Sequence, residues 1–182
     1  MGTLFSIIQK WIFKKGNNLI MTVLVPLDRP RLLFKWLFKF PVLLDSVGLN
    51  RLIPDWILLL TTTGRRSGKP VITPVEYLFH QENSSYWIMS GWRGNTDWHK
   101  NILKYPEVSI KINGITYPAK AAALTDEEIL AYLTEILKVN PDAIAIFSRW
   151  AGKQIDPSED GLRQVCTDFP GFALTTYQAP IV

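Results

Sequence analysis

The chain has 182 residues, 47% hydrophobic and 20% charged, which suits one globular domain with a sizeable core and excludes a disordered or fibrous protein. Its single cysteine, Cys166, excludes an internal disulfide framework and a cysteine-ligated metal cluster. The net charge of +4 is uneven: residues 1–53 hold eight Lys and Arg against two Asp, which leaves the remainder at −2 and directs the basic end toward a membrane surface or an acidic partner.

In chain order, Leu4, Ile7, Ile8, Trp11 and Ile12 follow the i, i+3, i+4, i+7 rule and predict an amphipathic helix over 3–15, with Gln9, Lys10, Lys14 and Lys15 opposite. Gln9 and Lys10 interrupt the apolar run, and no small-residue cleavage pattern follows, so no signal peptide is expected. Residues 19–27 are too few to span a bilayer. Residues 31–40 predict a second helix, with Arg31, Lys35 and Lys39 in one basic stripe and Leu, Phe and Trp around the rest. Such a helix is either packed on the body or laid in a lipid interface. Lys35, Lys39, Pro41 and Asp45 break every window long enough for a transmembrane helix. Pro41 opens a short apolar segment, Val42 to Leu49.

Strands are expected at about 57–63, 70–79 and 85–91, forming a meander. In the middle one, Val71, Thr73, Val75, Tyr77 and Phe79 share one face and Ile72, Pro74, Glu76, Leu78 and His80 the other. Asn95-Thr96-Asp97 caps a short helix, 97–104, stopped by Pro106. Val108, Ile110 and Ile112 alternate into Asn113-Gly114, a type I′ hairpin signal, and Ile115 to Ala123 returns as the partner strand. Thr125-Asp126-Glu127-Glu128 reads as a capping box opening a helix to Val139. Asn140-Pro141 punctuates, a further helix runs to Ala151, residues 152–162 form a polar loop, and Phe169 to Tyr177 is a last strand. Short antiparallel strands with inserted helices describe an α+β domain, a small barrel with flanking helices, over 54–182, behind a basic, apolar helical extension over 1–53.

The chemistry concentrates between the first two barrel strands, in Gly64-Arg65-Arg66-Ser67-Gly68-Lys69-Pro70. Three cations, two glycines and a serine on one bend can converge guanidinium forks and backbone N–H groups on an anion. His80 and His99 have no metal-ligand spacing, so no metal site is expected. No Ser-His-Asp order or carboxylate pair demands hydrolysis, and no catalytic side chain is assigned. The basic turns form no nucleic-acid motif.

Thr62-Thr63-Gly64-Arg65-Arg66-Ser67-Gly68-Lys69-Pro70, then Thr73-Pro74-Val75, Ser90-Gly91-Trp92-Arg93 and Asp97-Trp98-His99-Lys100-Asn101 resemble the deazaflavin (F420)-dependent nitroreductase/quinone reductase family over about residues 54–124. The resemblance implies a split β-barrel of the flavin-reductase, FMN-binding type. It implies that Arg65, Arg66, Ser67, Gly68 and Lys69 hold the phosphate and carboxylate tail of coenzyme F420. Thr73, Pro74 and Val75 would line its ring, Ser90, Gly91, Trp92 and Arg93 would form a second contact, and Trp98 and Asn101 would close the site. Two departures stand out: Val71 occupies a place where relatives carry Arg, and Ala143, Ile144, Ile146 and Phe147 stand where some nitro-reducing relatives carry tyrosines. The implied activity is hydride transfer from reduced F420 to a small apolar acceptor, a quinone or a nitro compound. The alternatives are an FMN-dependent split-barrel reductase and a non-catalytic lipid or cofactor carrier. The expected location is cytoplasmic, peripheral to the inner membrane face through residues 1–40, and the sequence does not give the oligomeric state.

Overall fold

The computed structural model describes residues 39–177. The helices expected over 3–15 and most of 31–40 lie outside the described residues. Seven strands form one antiparallel sheet: β1 (Ile57–Thr63), β2 (Pro70–Glu76), β3 (Leu78–His80), β4 (Ser85–Met89), β5 (Glu107–Ile112), β6 (Ile115–Ala123) and β7 (Gly171–Thr176). Around it lie α1 (Phe40–Ser46), α2 (Asp97–Lys104), α3 (Asp126–Val139), α4 (Ala143–Ala151) and α5 (Glu159–Arg163).

The sheet order is β2-β1-β5-β6-β7-β4-β3, which puts β2 at one edge and β3 at the other. Only Tyr77 separates these two strands in sequence. One residue advances the chain by at most about 3.6 Å, so the two edges must meet and the sheet must curl into a barrel. The continuous strand expected over 70–79 is therefore divided: its first half pairs with β1 and its second with β4. The third strand expected, to residue 91, ends at Met89. The last strand does not close the sheet from outside but lies inside it, between β6 and β4.

Side-chain alternation sorts the core into two clusters, one on each face of the sheet. The barrel interior holds Leu58, Leu60, Ile88, Trp98, Ile102, Ile110, Phe172 and Leu174, with Val75, Tyr77 and Tyr86 against them. The outer face holds Trp87, Tyr132, Leu133, Phe147, Cys166 and Phe169 under α3, α4 and α5, with Leu78 against them. Trp87 and Ile88, adjacent in sequence, thus serve opposite cores.

Local chemistry explains the connections. Asn113 and Gly114 both take positive φ, 50° and 81°, as a type I′ turn requires. The Thr125 hydroxyl accepts from the Glu128 N–H while Glu128 accepts from the Thr125 N–H, completing the capping box of α3. Gly152 ends α4 at φ 71°. Within the polar loop expected over 152–162, Ser158 caps the start of the short α5 by accepting from the Gly161 N–H. Residues 40–52 rest against the barrel, with Asp45 2.7 Å from Lys111.

Candidate functional site

The ladder phase of β2 decides which of its backbone groups are free. Gly64 donates to the Lys69 carbonyl at 2.8 Å, and Tyr77 donates to the Trp56 carbonyl at 3.2 Å. Both bonds tie odd-numbered residues of the second strand to β1. Alternation then points the backbone groups of Ile72, Pro74 and Glu76 away from β1, toward the edge. Pro74, which has no N–H, therefore gives up no ladder bond to β1. Thr73 and Val75 spend their backbone groups on β1.

A seam faces that edge. β3 and β4 pair with Leu78 opposite Trp87. Pairing stops on that side at Leu78 and Trp87, and the chain passes back through Tyr77 to Glu76 at the end of β2. β2 and β4 stay close there without a ladder. The seam thus sets the end of β2 beside β4.

The bend at one end of β2 is rigidly mounted. Gly68, at φ 67°, donates to the Gly64 carbonyl at 2.8 Å. A Cβ on Gly64 would come within 2.6 Å of Ser67 Oγ and 3.1 Å of the Lys69 carbonyl, so the turn closes on itself. Arg65 faces inward. Its N–H donates to Asn101 Oδ1 at 3.0 Å, and its guanidinium reaches Asp97 Oδ1 at 2.9 Å and Asn101 Oδ1 at 3.2 Å. Lys104 Nζ donates to the Arg65 carbonyl. Asn101, buried, also donates through Nδ2 to Thr62 Oγ1 at 3.1 Å. Arg65 and Asn101 are thus spent on fastening the bend to α2. Arg66 and Lys69 remain exposed, and among the described residues neither has an ion-pair partner. Trp98 lies in the barrel core, edge-on to Phe172.

The second contact region is mounted on the same helix. Ser90 is fully buried; its N–H donates to the Pro170 carbonyl, and its hydroxyl is 2.9 Å from Thr96 Oγ1. Thr96 is the residue before α2, so its hydroxyl holds Ser90 instead of capping the helix. The chain then takes three left-handed residues in succession: Trp92 at φ 51°, Arg93 at 55° and Gly94 at 74°. Two of these are not glycine, a strain that persists only where surroundings enforce it. Here Trp92 packs on Trp150 at 5.5 Å, and Arg93 pairs with the buried Asp168 at 2.8 Å, which Lys153 also meets at 3.1 Å. A Cβ on Gly94 would lie 3.0 Å from Pro170. His99 packs beside this turn against Phe172, and burial, followed by the charge of Lys100, lowers its pKa.

Two residues of this region escaped the sequence reading. Asp168 gave no signal, because its role comes from non-local neighbours. Glu76 did give one: it is the only charge in the apolar stretch 70–79, and burial pushes its carboxyl up to about 7. On α4, Ala143 and Phe147 are core side chains and Ile144 packs partly against that core. A surface cavity of about 330 Å³ beside Lys153, Asp156 and Gln164 involves none of the site residues expected from sequence.

The profile of the F420H(2)-dependent quinone reductase family matches residues 46–156. The chain belongs to that family. It is accordingly an oxidoreductase, an F420-dependent reductase, and coenzyme F420 is its cofactor. Among solved structures, a pyridoxamine 5′-phosphate oxidase-related, FMN-binding protein from Nostoc punctiforme is 12% identical and superposes with a TM-score of 0.50, covering 76% of this chain and 80% of that one. This likeness carries the split-barrel fold. An F420-H2-dependent reductase is 22% identical at a TM-score of 0.47, over 66% of this chain and 94% of that one. The residues present suit the family's cofactor chemically: among the described residues, two cations without ion-pair partners stand on the bend, and the outer edge of β2 pairs with no strand.

Proposed function

We propose that this protein passes a hydride from reduced F420 to a small apolar acceptor of the quinone type. The observation that carries the reading is the division of labour on the bend. Arg65 is consumed in holding it to Asp97 and Asn101, which leaves Arg66 and Lys69 free to meet phosphate and carboxylate groups. The free edge of β2 at Ile72, Pro74 and Glu76 would receive the ring, with Gly91 and Trp92 as the second contact. Bound there, the cofactor supplies the hydride. The protein's part is to hold donor and acceptor in contact and keep water out.

Supplying F420 with an enzyme that regenerates its reduced form, and following menadione-dependent oxidation, tests this. Steady oxidation supports the reading. Tight F420 binding without oxidation favours a carrier, and binding of FMN alone favours the flavin alternative.

A membrane-surface role for residues 1–40 gains support from the adjoining body. Phe40, Leu43, Val47, Leu49 and Leu52 are all exposed, Leu52 to 63%, a concentration of large apolar side chains unusual for a free surface. They follow directly on a segment rich in Lys and Arg. No helix among the described residues is long and apolar enough to cross a membrane. Co-sedimentation with anionic vesicles should be strong for the whole chain and weak without residues 1–40; equal sedimentation would remove the idea.

A further inference from the structure

Glu76 ends β2 with a carboxyl that has no partner among the described residues. It leaves the strand on the face shared with Pro74 and Leu78, opposite Val75 and Tyr77, which pack into the barrel. Leu78 packs on the helical cluster, so Glu76 stands on that side, against α3, where its charge is felt by the Tyr132 phenol. Among the described residues no Lys, Arg or His pairs with it and no donor reaches it. Tyr132 is the titratable group that faces it from α3, and Ile57, its neighbour on β1, carries no charge. The residue is half-buried, so part of it still meets solvent beside the seam.

An unpaired carboxyl in such a place is costly as an anion. It is a poor structural choice and a useful chemical one. Glu76 also shares with Pro74 the stretch of edge to which the ring is assigned, two residues along and so about 7 Å away.

We propose that Glu76 is the proton donor of the reaction, giving its carboxyl proton to the oxygen of a carbonyl acceptor as the hydride arrives. The inference rests on the quinone-reductase reading above. A carbonyl acceptor that takes up a hydride gains an electron pair and leaves negative charge on oxygen. The O–H bond of Glu76 breaks as a new O–H bond forms on the acceptor. The Glu76 carboxylate then recovers a proton from solvent, so nothing beyond hydride donor, acceptor and water is required. Desolvation is the cause of the elevated pKa of about 7, which keeps a substantial fraction of the acid form present at neutral pH.

The test uses the full chain and the variants Glu76→Gln and Glu76→Asp. In the protein without cofactor, ¹³C-glutamate NMR should show one carboxyl titrating near neutral pH that is missing from E76Q. With F420 and menadione at saturation, E76Q should lose about 100-fold in kcat and lose the decline in rate above pH 7, while E76D keeps much of the activity. A Glu76 carboxyl titrating between pH 4 and 5 would overturn the proposal. So would E76Q keeping kcat within twofold with an unchanged pH profile. A wild-type protein that binds F420 but reduces no quinone would overturn the parent reading as well, which separates the two failures.

Discussion

Replacing Asn101 by Ala should uncouple the cationic bend from the barrel. Asn101 is 2% exposed and makes three bonds: it accepts from the Arg65 N–H at 3.0 Å and guanidinium at 3.2 Å, and donates to Thr62 at 3.1 Å. Each such bond contributes about 1 kcal/mol net, and a stranded buried donor costs about 1–3 kcal/mol. Because water can reach Arg65 from outside, the sum is held to about 3 kcal/mol. For a chain of this size that lowers Tm by about 6–12 °C. The bend should also lose its fixed pose and weaken F420 binding by about tenfold, equivalent to 1.4 kcal/mol. The comparison variant is Asp97→Ala. Its carboxylate meets the same guanidinium at 2.9 Å but is 82% exposed. An exposed pair is worth about 0.5 kcal/mol or less. Urea denaturation gives the stabilities, and quenching of F420 fluorescence gives the affinities. If Asn101→Ala and Asp97→Ala are equally mild, the buried amide does not hold the bend and the reasoning fails.

Three further outcomes are expected. Gly94→Ala places a Cβ 3.0 Å from Pro170 at φ 74° and should cost about 1–3 kcal/mol by thermal denaturation; an unchanged Tm would show that the turn relaxes freely. Glu76 has a folded pKa of about 7 against 4.5, so its contribution to stability is full below pH 4.5 and is lost as pH rises to 7. Glu76→Gln should therefore be more stable than wild type at pH 8, by at most about 3 kcal/mol before solvent screening; equal stability at pH 8 would deny the burial cost. His99 has its pKa lowered from 6.5, so the unfolded chain binds its proton first and stability falls as pH drops below that value. His99→Phe should flatten that decline in urea titrations between pH 5 and 7, and an identical decline would assign it elsewhere.

Local signals in the sequence translated directly into structure. Asn113-Gly114 and Thr125 with Glu128 each contain their own geometry within four residues, and both appear as read. The division of 70–80 at Tyr77 was not legible, because apolar alternation continues through it and says nothing about which strand lies alongside. Ring closure is a property of the sheet order, and that order joins β1 to β5 and β7 to β4 across long sequence separations. The five residues of α5 lie in a polar stretch with too little periodicity to announce a helix. At the site, the basic bend was visible as composition, but the inward turn of Arg65 depends on Asn101, 36 residues away. Likewise, the strain at Trp92 and Arg93 is enforced by Trp150 and Asp168, so only the assembled fold reveals it.

The most direct test of the account reverses both free cations, Arg66→Glu with Lys69→Glu, and measures F420 affinity at low and high salt. Both side chains are exposed, so folding should be unaffected. Loss of two charge-assisted contacts should weaken binding by about 30-fold or more at low salt, and by less once the charges are screened. Undiminished affinity in a folded double variant would contradict the claim that this bend holds the anionic tail.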